Sequence, residues 1–429
     1  MQFTRRLPVF RRYFASATQS RLNTVSATQP PAMPNWVGYE EPDEHLPVAI
    51  GDVLDSRYVV KQKLGSGFYS TVWLAERNSS SFPRFSALKI LTREGTEILP
   101  ELEYLQTMRD KNTMHPGHAH NIQLLDHFYL GAPGQHHLCL VTEALCQDLH
   151  SFASRWPYRA LPLPLIRQVA RQVLLGLDYL HSECNIIHTD IKPANILFAP
   201  AGDPASLFEA AIAQSNDFNE MSVASDPDEL DIPYIIPENI NSSEAWQSAR
   251  VELIDVGVAS WTDKVSERSE IISSSALRAP EVCIRAGWGK PADIWSLGCT
   301  LYELCLGMPI FPPDRSNIDY PNMHVEVFGM YPPGLVRRGK DSHIYFNSDG
   351  SLIRVNPECI PPFDDLLADR LDASPEFVDF MHQILTLDPA RRPTCQDLLA
   401  HDWLNPRQHP TVSGRLSNFV STLTKLWRQ

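Results

Sequence analysis

The chain has 429 residues, 43% of them hydrophobic and 21% charged, with a formal net charge of −14. That length exceeds one compact core, so two lobes of one domain or two domains are expected, with tails, in a composition typical of soluble globular proteins. The acidic balance excludes general nucleic-acid binding and suits a basic partner, and no apolar run approaches the roughly 20 residues that span a bilayer. The eight cysteines, at 139, 146, 184, 283, 299, 305, 359 and 395, form no C-x-x-C pair and no paired metal-ligand spacing, so they read as reduced thiols in mostly apolar surroundings. There is no internal repeat.

Residues 1–35 carry Arg5, Arg6, Arg11, Arg12 and Arg21, many Ser, Thr and Ala, and no acid. This composition resembles a mitochondrial transit peptide, with Arg12-Tyr13-Phe14 before Ala15-Ser16 as a processing site. Pro8 interrupts the helix such a peptide needs, and a plain basic tail is the other reading. Glu40, Glu41, Asp43 and Glu44 then reverse the charge, which sets residues 1–45 apart as a tail.

Folding is expected from Tyr58-Val59-Val60, a strand leading into Lys63-Leu64-Gly65-Ser66-Gly67-Phe68-Tyr69-Ser70-Thr71-Val72-Trp73. Gly65 and Gly67 would let a hairpin tip bring bare backbone to phosphates, and Val72 on the returning strand can cover an adenine. An ordinary hairpin is the alternative, and Ser70 stands where such a loop usually has a third glycine. In the strand Ser86-Ala87-Leu88-Lys89-Ile90, a lysine inside an apolar run is costly unless paired. The pairing is expected from Glu101, on a helix marked by Leu102, Leu105 and Met108, with Glu97 in reserve because Pro100 precedes Glu101. An apolar strand, Leu138 to Leu145, would then link two lobes, with the Glu143 carbonyl and Leu145 N–H able to read an adenine edge. His115, His118 and His120 lack the cysteine or carboxylate spacing of a metal site.

Helical periodicity from Leu165 to Leu180 delivers the chain into His188-Thr189-Asp190-Ile191-Lys192-Pro193-Ala194-Asn195-Ile196-Leu197. Phosphoryl transfer needs a carboxylate to take the substrate hydroxyl proton, a cation at the moving phosphoryl and an oxygen ligand for a metal. Asp190, Lys192 and Asn195 suit those tasks in that order; a polar turn between buried strands is the plain alternative. Residues 199–250 are rich in Asp, Glu, Ser, Asn and Pro, with Arg250 as the one basic residue, and read as a largely disordered acidic insertion. Asp255-Val256-Gly257 follows the strand Val251–Ile254 and places an acid where Mg²⁺ would bridge phosphates. Leu277-Arg278-Ala279-Pro280-Glu281 closes a substrate-facing segment, Asp293 in a buried helix can cap the backbone of the catalytic loop, and Arg392 is the expected partner of Glu281. His401-Asp402-Trp403-Leu404 ends the lobe. Residues 405–429 carry a helical apolar stripe, Leu416, Phe419, Val420, Leu423 and Trp427, for packing back or for a partner or membrane surface.

Together these residues resemble the eukaryotic protein kinases over residues 58–404, and within them the SR-protein kinases. Ile50-Gly51-Asp52 before Arg57-Tyr58, Ser70 to Leu74, His188 to Pro193, and an insertion ahead of the metal acid carry the second likeness. The resemblance implies a two-lobed α+β fold, with a β-rich lobe over 58–142 and a helical lobe over 146–404. It also implies ATP and Mg²⁺, a monomer, and transfer to serine or threonine of a protein substrate, with Arg/Ser-rich splicing factors as the group's substrates. Leu64, Gly65, Ser66, Gly67, Phe68, Tyr69, Ser70, Thr71, Val72, Ala87, Thr142 and Leu197 then join Lys89, Glu101, Glu143 and Leu145 around the nucleotide, with Asn195 and Asp255 on the metal. The group binds basic substrates through acids after the buried helix, where Asp319 and Glu326 lie. Departures are Ala194 for an acid, Val256 for leucine, and a short insertion. The family implies cytoplasm and nucleus, whereas the N-terminus points to the mitochondrion. Two rivals remain: a pseudokinase scaffold, supported by Ser70, and a small-molecule kinase, opposed by the Ala-Pro-Glu segment.

Many kinases have an arginine before the catalytic Asp, where it pairs with a phosphate on the activation segment; Thr189 is neutral and cannot. ATP turnover is therefore expected to survive phosphatase treatment even though Ser266, Ser269 and Ser273 to Ser275 offer hydroxyls, and a large loss would refute this.

Overall fold

The computed structural model describes residues 45–77, 83–132, 135–217, 232, 234, 236–237, 239–267, 271–313, 315–354, 361–367 and 373–406. Both tails, apart from residues 45 and 405–406, lie outside the described residues, as does Cys359. The seven described cysteines are all free and buried.

The smaller lobe is an antiparallel sheet of β1 (Val53–Leu54), β2 (Tyr58–Gly67), β3 (Ser70–Glu76), β4 (Phe85–Leu91), β5 (Leu124–Leu130) and β6 (His137–Glu143), in the order β1-β2-β3-β4-β6-β5. One face closes over Tyr58, Leu88, Ile90, Phe128 and Val141. Between β4 and β5 run α1 (Arg93–Ile98) and α2 (Glu101–Asp110). Thr92 caps α1 by accepting from the Gly95 N–H, and Pro100 occupies the N-cap of α2, where its missing N–H costs nothing. Tyr104, Leu105 and Met108 bury one face of α2.

The larger lobe is built around α3 (Leu149–Ser154), α4 (Leu163–Asp178) and, farther along the chain, a buried helix at Pro291–Leu306. The expected 165–180 helix is α4, and its last turn widens through Tyr179–Cys184 before Asn185 ends it in the left-handed conformation. Short pairs β7 (Ile186–Ile187) with β10 (Ser260–Trp261), and β8 (Ile196–Phe198) with β9 (Val251–Leu253), frame the catalytic loop. The lobes dock where the 116–120 turn meets α4: a Cβ on Gly117 would lie 1.8 Å from the Leu175 carbonyl oxygen, so only glycine allows this approach.

The reading of residues 199–250 as largely disordered does not hold for the part described. α5 (Pro204–Asp217) sets buried Phe208 5.8 Å from Phe85 of β4, and Glu209 pairs with Arg84. Ile232, Tyr234 and Trp246 turn to the other lobe: Tyr234 stacks on Phe198 at 4.1 Å, Ile232 accepts from the Gln147 N–H, and fully buried Trp246 donates to the Ile240 carbonyl. Composition misled because a few large apolar residues, not the average, decide whether a segment packs. Trp246→Ala is expected to cost about 3–5 kcal/mol and to lower the thermal midpoint clearly; an unchanged midpoint would restore the disordered reading.

Candidate active site

Lys89, in β4, points its ammonium at two acids from different elements: Glu101 Oε1 of α2 at 2.6 Å and Asp255 Oδ1 at 2.8 Å. Burial pulls this ammonium toward neutrality, and the two carboxylates override it, leaving its pKa raised. Asp255 shows the complement: burial would raise it, and Lys89 holds it below the usual carboxylate range. Glu101 is the expected partner, and the reserve, Glu97, is exposed on α1. Gly257 leaves room beside them: a Cβ there would approach Glu101 Oε2 to 3.2 Å and Asp255 Oδ1 to 3.4 Å, close enough that one carboxylate would have to shift.

The β2–β3 hairpin pairs Gly65 with Val72, Ser66 with Thr71 and Gly67 with Ser70, leaving Phe68 and Tyr69 at the tip. A Cβ on Gly65 would meet nothing within 4 Å, so open space adjoins the backbone where phosphates would lie. Phe68 is 81% exposed, while Tyr69 accepts from the Thr92 N–H and ties the tip to α1. Ser70 is buried at the strand start, so its replacement of glycine does not obstruct this space. Val72 lies opposite Lys89, and Ala87 opposite Thr142. Leu64 and Leu197 are partly buried against the core, Leu145 is buried, and Glu143 ends β6.

The catalytic loop hangs from one side chain. Asp293, in α6 (Pro291–Leu306), accepts the His188 and Thr189 backbone N–H groups at 2.8 Å each and the His181 Nε2 at 2.8 Å. His188 Nε2 donates to the Ile254 carbonyl, and its Nδ1 accepts from the Asp190 N–H, which fixes a neutral tautomer. Asp190 Oδ2 receives Lys192 Nζ at 2.6 Å and Asn195 Nδ2 at 3.0 Å. Thr189 and Asp255 both adopt left-handed backbone, at φ 70 and 64, conformations worth about 1–3 kcal/mol of strain each that packed surroundings must hold.

The donors present fit a hard divalent cation. Asn195 Nδ2 is spent on Asp190 O and Oδ2, and no described donor reaches its Oδ1; the Ile254 N–H to Asn195 O bond brings this residue alongside the strand that ends at Asp255. A carboxamide oxygen and an ionised carboxylate are oxygen ligands of the kind Mg²⁺ takes. His115 and His120 instead have local roles, facing Asp178 and bonding the Val251 carbonyl, and no group of three His, Cys, Asp or Glu among the described residues could hold a metal.

Three residues take roles at the site that sequence reasoning did not give them. Ser274 Oγ lies 3.5 Å from Asp190 Oδ1, and Ser273 Oγ donates to the Thr189 carbonyl, so these hydroxyls serve the loop itself. Arg278 bonds the Ile272 and Ser273 carbonyls and Asn317 Oδ1, holding the segment with its side chain. A lone arginine beside an apolar Ala-Pro pair was the available signal. Arg392 meets Glu281 as expected, at 2.7 and 3.1 Å and fully buried.

This architecture defines a nucleotide-dependent phosphotransferase, and the Protein kinase domain family matches residues 58–215 and 235–404. The serine/threonine-protein kinase SRPK of Physarum polycephalum is 31% identical, over 83% of this chain and 88% of its own length. Protein kinase dsk1 of Schizosaccharomyces pombe is 28% identical over 85% and 84%, and SRSF protein kinase 3 of Sus scrofa 26% over 84% and 88%. A crystal structure of a kinase domain superposes with a TM-score of 0.64 at 22% identity, covering 84% of this chain and 99% of that one. The chain belongs to the protein kinase family, in its SRPK-like serine/threonine branch. Its substrate is a protein, and the family works with ATP and a divalent metal.

Because the Glu281–Arg392 pair is sealed from water, removing one partner strands the other charge. Arg392→Met is expected to cost about 3–5 kcal/mol in chemical denaturation, and a loss below about 1 kcal/mol would show the pair to be dispensable.

Proposed function

We propose that this kinase passes the γ-phosphoryl group of ATP, bound with Mg²⁺, to serines of basic, Arg/Ser-rich proteins, acting as a monomer. The observation that carries the catalytic half is the closed Lys89–Glu101–Asp255 bridge, which joins β4, α2 and the metal strand in one ionic contact. Lys89 binds the α- and β-phosphates, and Glu101 holds the lysine in place. The Glu143 carbonyl and Leu145 N–H read the adenine edge; Leu64, Val72, Ala87, Thr142 and Leu197 surround it. Asn195 Oδ1 and Asp255 would hold the Mg²⁺, which would supply positive charge to the phosphate oxygens when bound. Asp190 accepts the proton of the incoming serine hydroxyl, with Ser274 Oγ marking a hydroxyl position beside it. Lys192, already on Asp190, neutralises charge on the moving phosphoryl.

The substrate half rests on the names of the relatives, SRPK and SRSF protein kinase 3, and on two acids of this chain. Asp319, the N-cap of α7 (Tyr320–Phe328), and Glu326, within that helix, are seven residues apart, which puts them on one helix face about 10 Å apart along the axis. Both are partly exposed, as a guanidinium-binding ledge requires. Family resemblance suggests cytoplasm and nucleus for the enzyme, and the Arg-rich N-terminus the mitochondrion instead; a cleaved transit peptide would separate it from such substrates.

Transfer from labelled ATP to an Arg/Ser-repeat peptide and to a generic basic serine peptide tests both halves. Asp190→Ala should abolish transfer to either, and Asp319→Lys with Glu326→Lys should raise KM for the repeat peptide about tenfold while sparing the generic one. Equal use of both peptides by the wild type would overturn the substrate assignment, and transfer surviving in Asp190→Ala would overturn the mechanism.

A further inference from the structure

Glu252 sits in the middle of β9 with its side chain wholly shielded from solvent. Neither of its carboxyl oxygens has a hydrogen-bond donor. Arg250, two residues earlier, brings Nη2 to 3.1 Å of Oε1 but out of hydrogen-bond alignment, and it is itself 44% exposed. A buried, ionised carboxylate without donors is among the costliest groups a fold can contain.

The neighbourhood explains how this acid is tolerated. Glu252 lies opposite Leu197 in the β8–β9 ladder, and the next residue, Leu253, accepts from the Ile122 N–H. Gln123, one step beyond Ile122, donates its N–H to Glu143 Oε1 at 3.2 Å. The strand carrying Glu252 and the end of β6 carrying Glu143 are therefore stitched to the same short segment. Their carboxyl groups act on each other across this segment. Two carboxylates are acceptors only, so they bond to each other only while one keeps a proton. The proton falls to the more deeply buried Glu252: burial first, then Glu143, push its pKa up to about 9, and Arg250 opposes them less strongly. From the other packed elements, His120 bonds the Val251 carbonyl and is kept below its ordinary value by burial, and Gln172 of α4, which is uncharged, accepts from the Val251 N–H.

We propose that Glu252, as a neutral acid, donates a hydrogen bond to Glu143 and so positions the backbone link between the lobes for adenine. Glu252 is a positioning residue, and the role rests on the reading that the Glu143 carbonyl accepts from the adenine edge. The same proton ties this link to β9, the strand that runs on to Asp255. As pH rises and the proton leaves, two negative charges face each other behind the link, and nucleotide affinity falls without a change in the chemical groups.

The sign of the stability effect is opposite to that of a salt-bridged acid. Unfolded, Glu252 loses its proton at the ordinary value of 4.5; folded, it keeps it until about 9. Through that window the native state holds the extra proton, so wild-type stability falls as pH rises. Glu252→Gln offers a permanent neutral donor and does not share the fall.

The test uses the full chain as wild type, Glu252→Gln and Glu252→Ala. Thermal midpoints are measured between pH 5 and pH 9, ADP affinity by calorimetry, and KM for ATP and kcat with a peptide substrate. Glu252→Gln should gain on the wild type steadily as pH rises, keep KM for ATP within about twofold at neutral pH, and lack the wild type's alkaline rise in KM. Glu252→Ala should weaken ADP and raise KM for ATP about fivefold with kcat retained. A midpoint difference between Glu252→Gln and wild type that does not change with pH overturns the shared proton. ADP affinity equal in all three proteins overturns the positioning role, even if transfer is normal. Should Glu252→Ala fail to fold, the wild type and Glu252→Gln decide alone. The midpoints and ADP binding require no turnover, so this inference can fail while the phosphotransfer reading stands, or the reverse.

Discussion

A single ammonium holds this molecule in a working arrangement. Lys89 is drawn out of water by its place in β4 and is stable there only because Glu101 and Asp255 converge on it from α2 and from the strand after the insertion. Charge brought into low dielectric must be paired, and here the pairing sets the distance between three elements at once. Beside that convergence Asp255 takes a left-handed backbone and Gly257 leaves room for the two carboxylates.

A second anchor does for the catalytic loop what Lys89 does for the nucleotide side. Asp293 gathers two backbone N–H groups and a histidine, so the loop is suspended from a buried helix rather than from its own residues. That suspension allows Thr189 to stay in a strained backbone conformation, and it frees the Asp190 side chain for Lys192 and Asn195. Arg278 and the Ser273 hydroxyl brace the neighbouring segment through neutral carbonyls. The brace is built into the chain.

The molecule meets the problem of buried acids in three ways. Glu281 is matched by the Arg392 fork, Glu101 shares Lys89, and Glu252 is left to keep its proton. The first two exchange solvation for an opposite charge; the third avoids the charge. The insertion shows a similar economy, because α5 leans on the smaller lobe through Phe208 while Tyr234 and Trp246 enter the larger one. An acidic stretch thus touches both lobes with only a handful of apolar side chains.

By itself, the amino-acid sequence determined the class of fold and most of the chemistry, since spacing carries that information. Asp190, Lys192 and Asn195 are close along the chain, and Lys89 in an apolar strand demands an acid that the next helix supplies, so local geometry is enough to join them. Glu281 with Arg392, and Asp293 with the loop, were legible for the same reason: a charge in a buried segment announces a partner. Other features belonged to tertiary structure alone. The packing of Phe208, Tyr234 and Trp246 depends on which apolar side chains find surfaces, and average composition cannot report that. Ser274 at the catalytic carboxylate and Arg278 on the Ile272 and Ser273 carbonyls are products of chain path, not of motif. Glu252 is the clearest case, an acid in a strand whose character was decided only when folding buried it beside Glu143, because a proton's position depends on dielectric and neighbours that no spacing records.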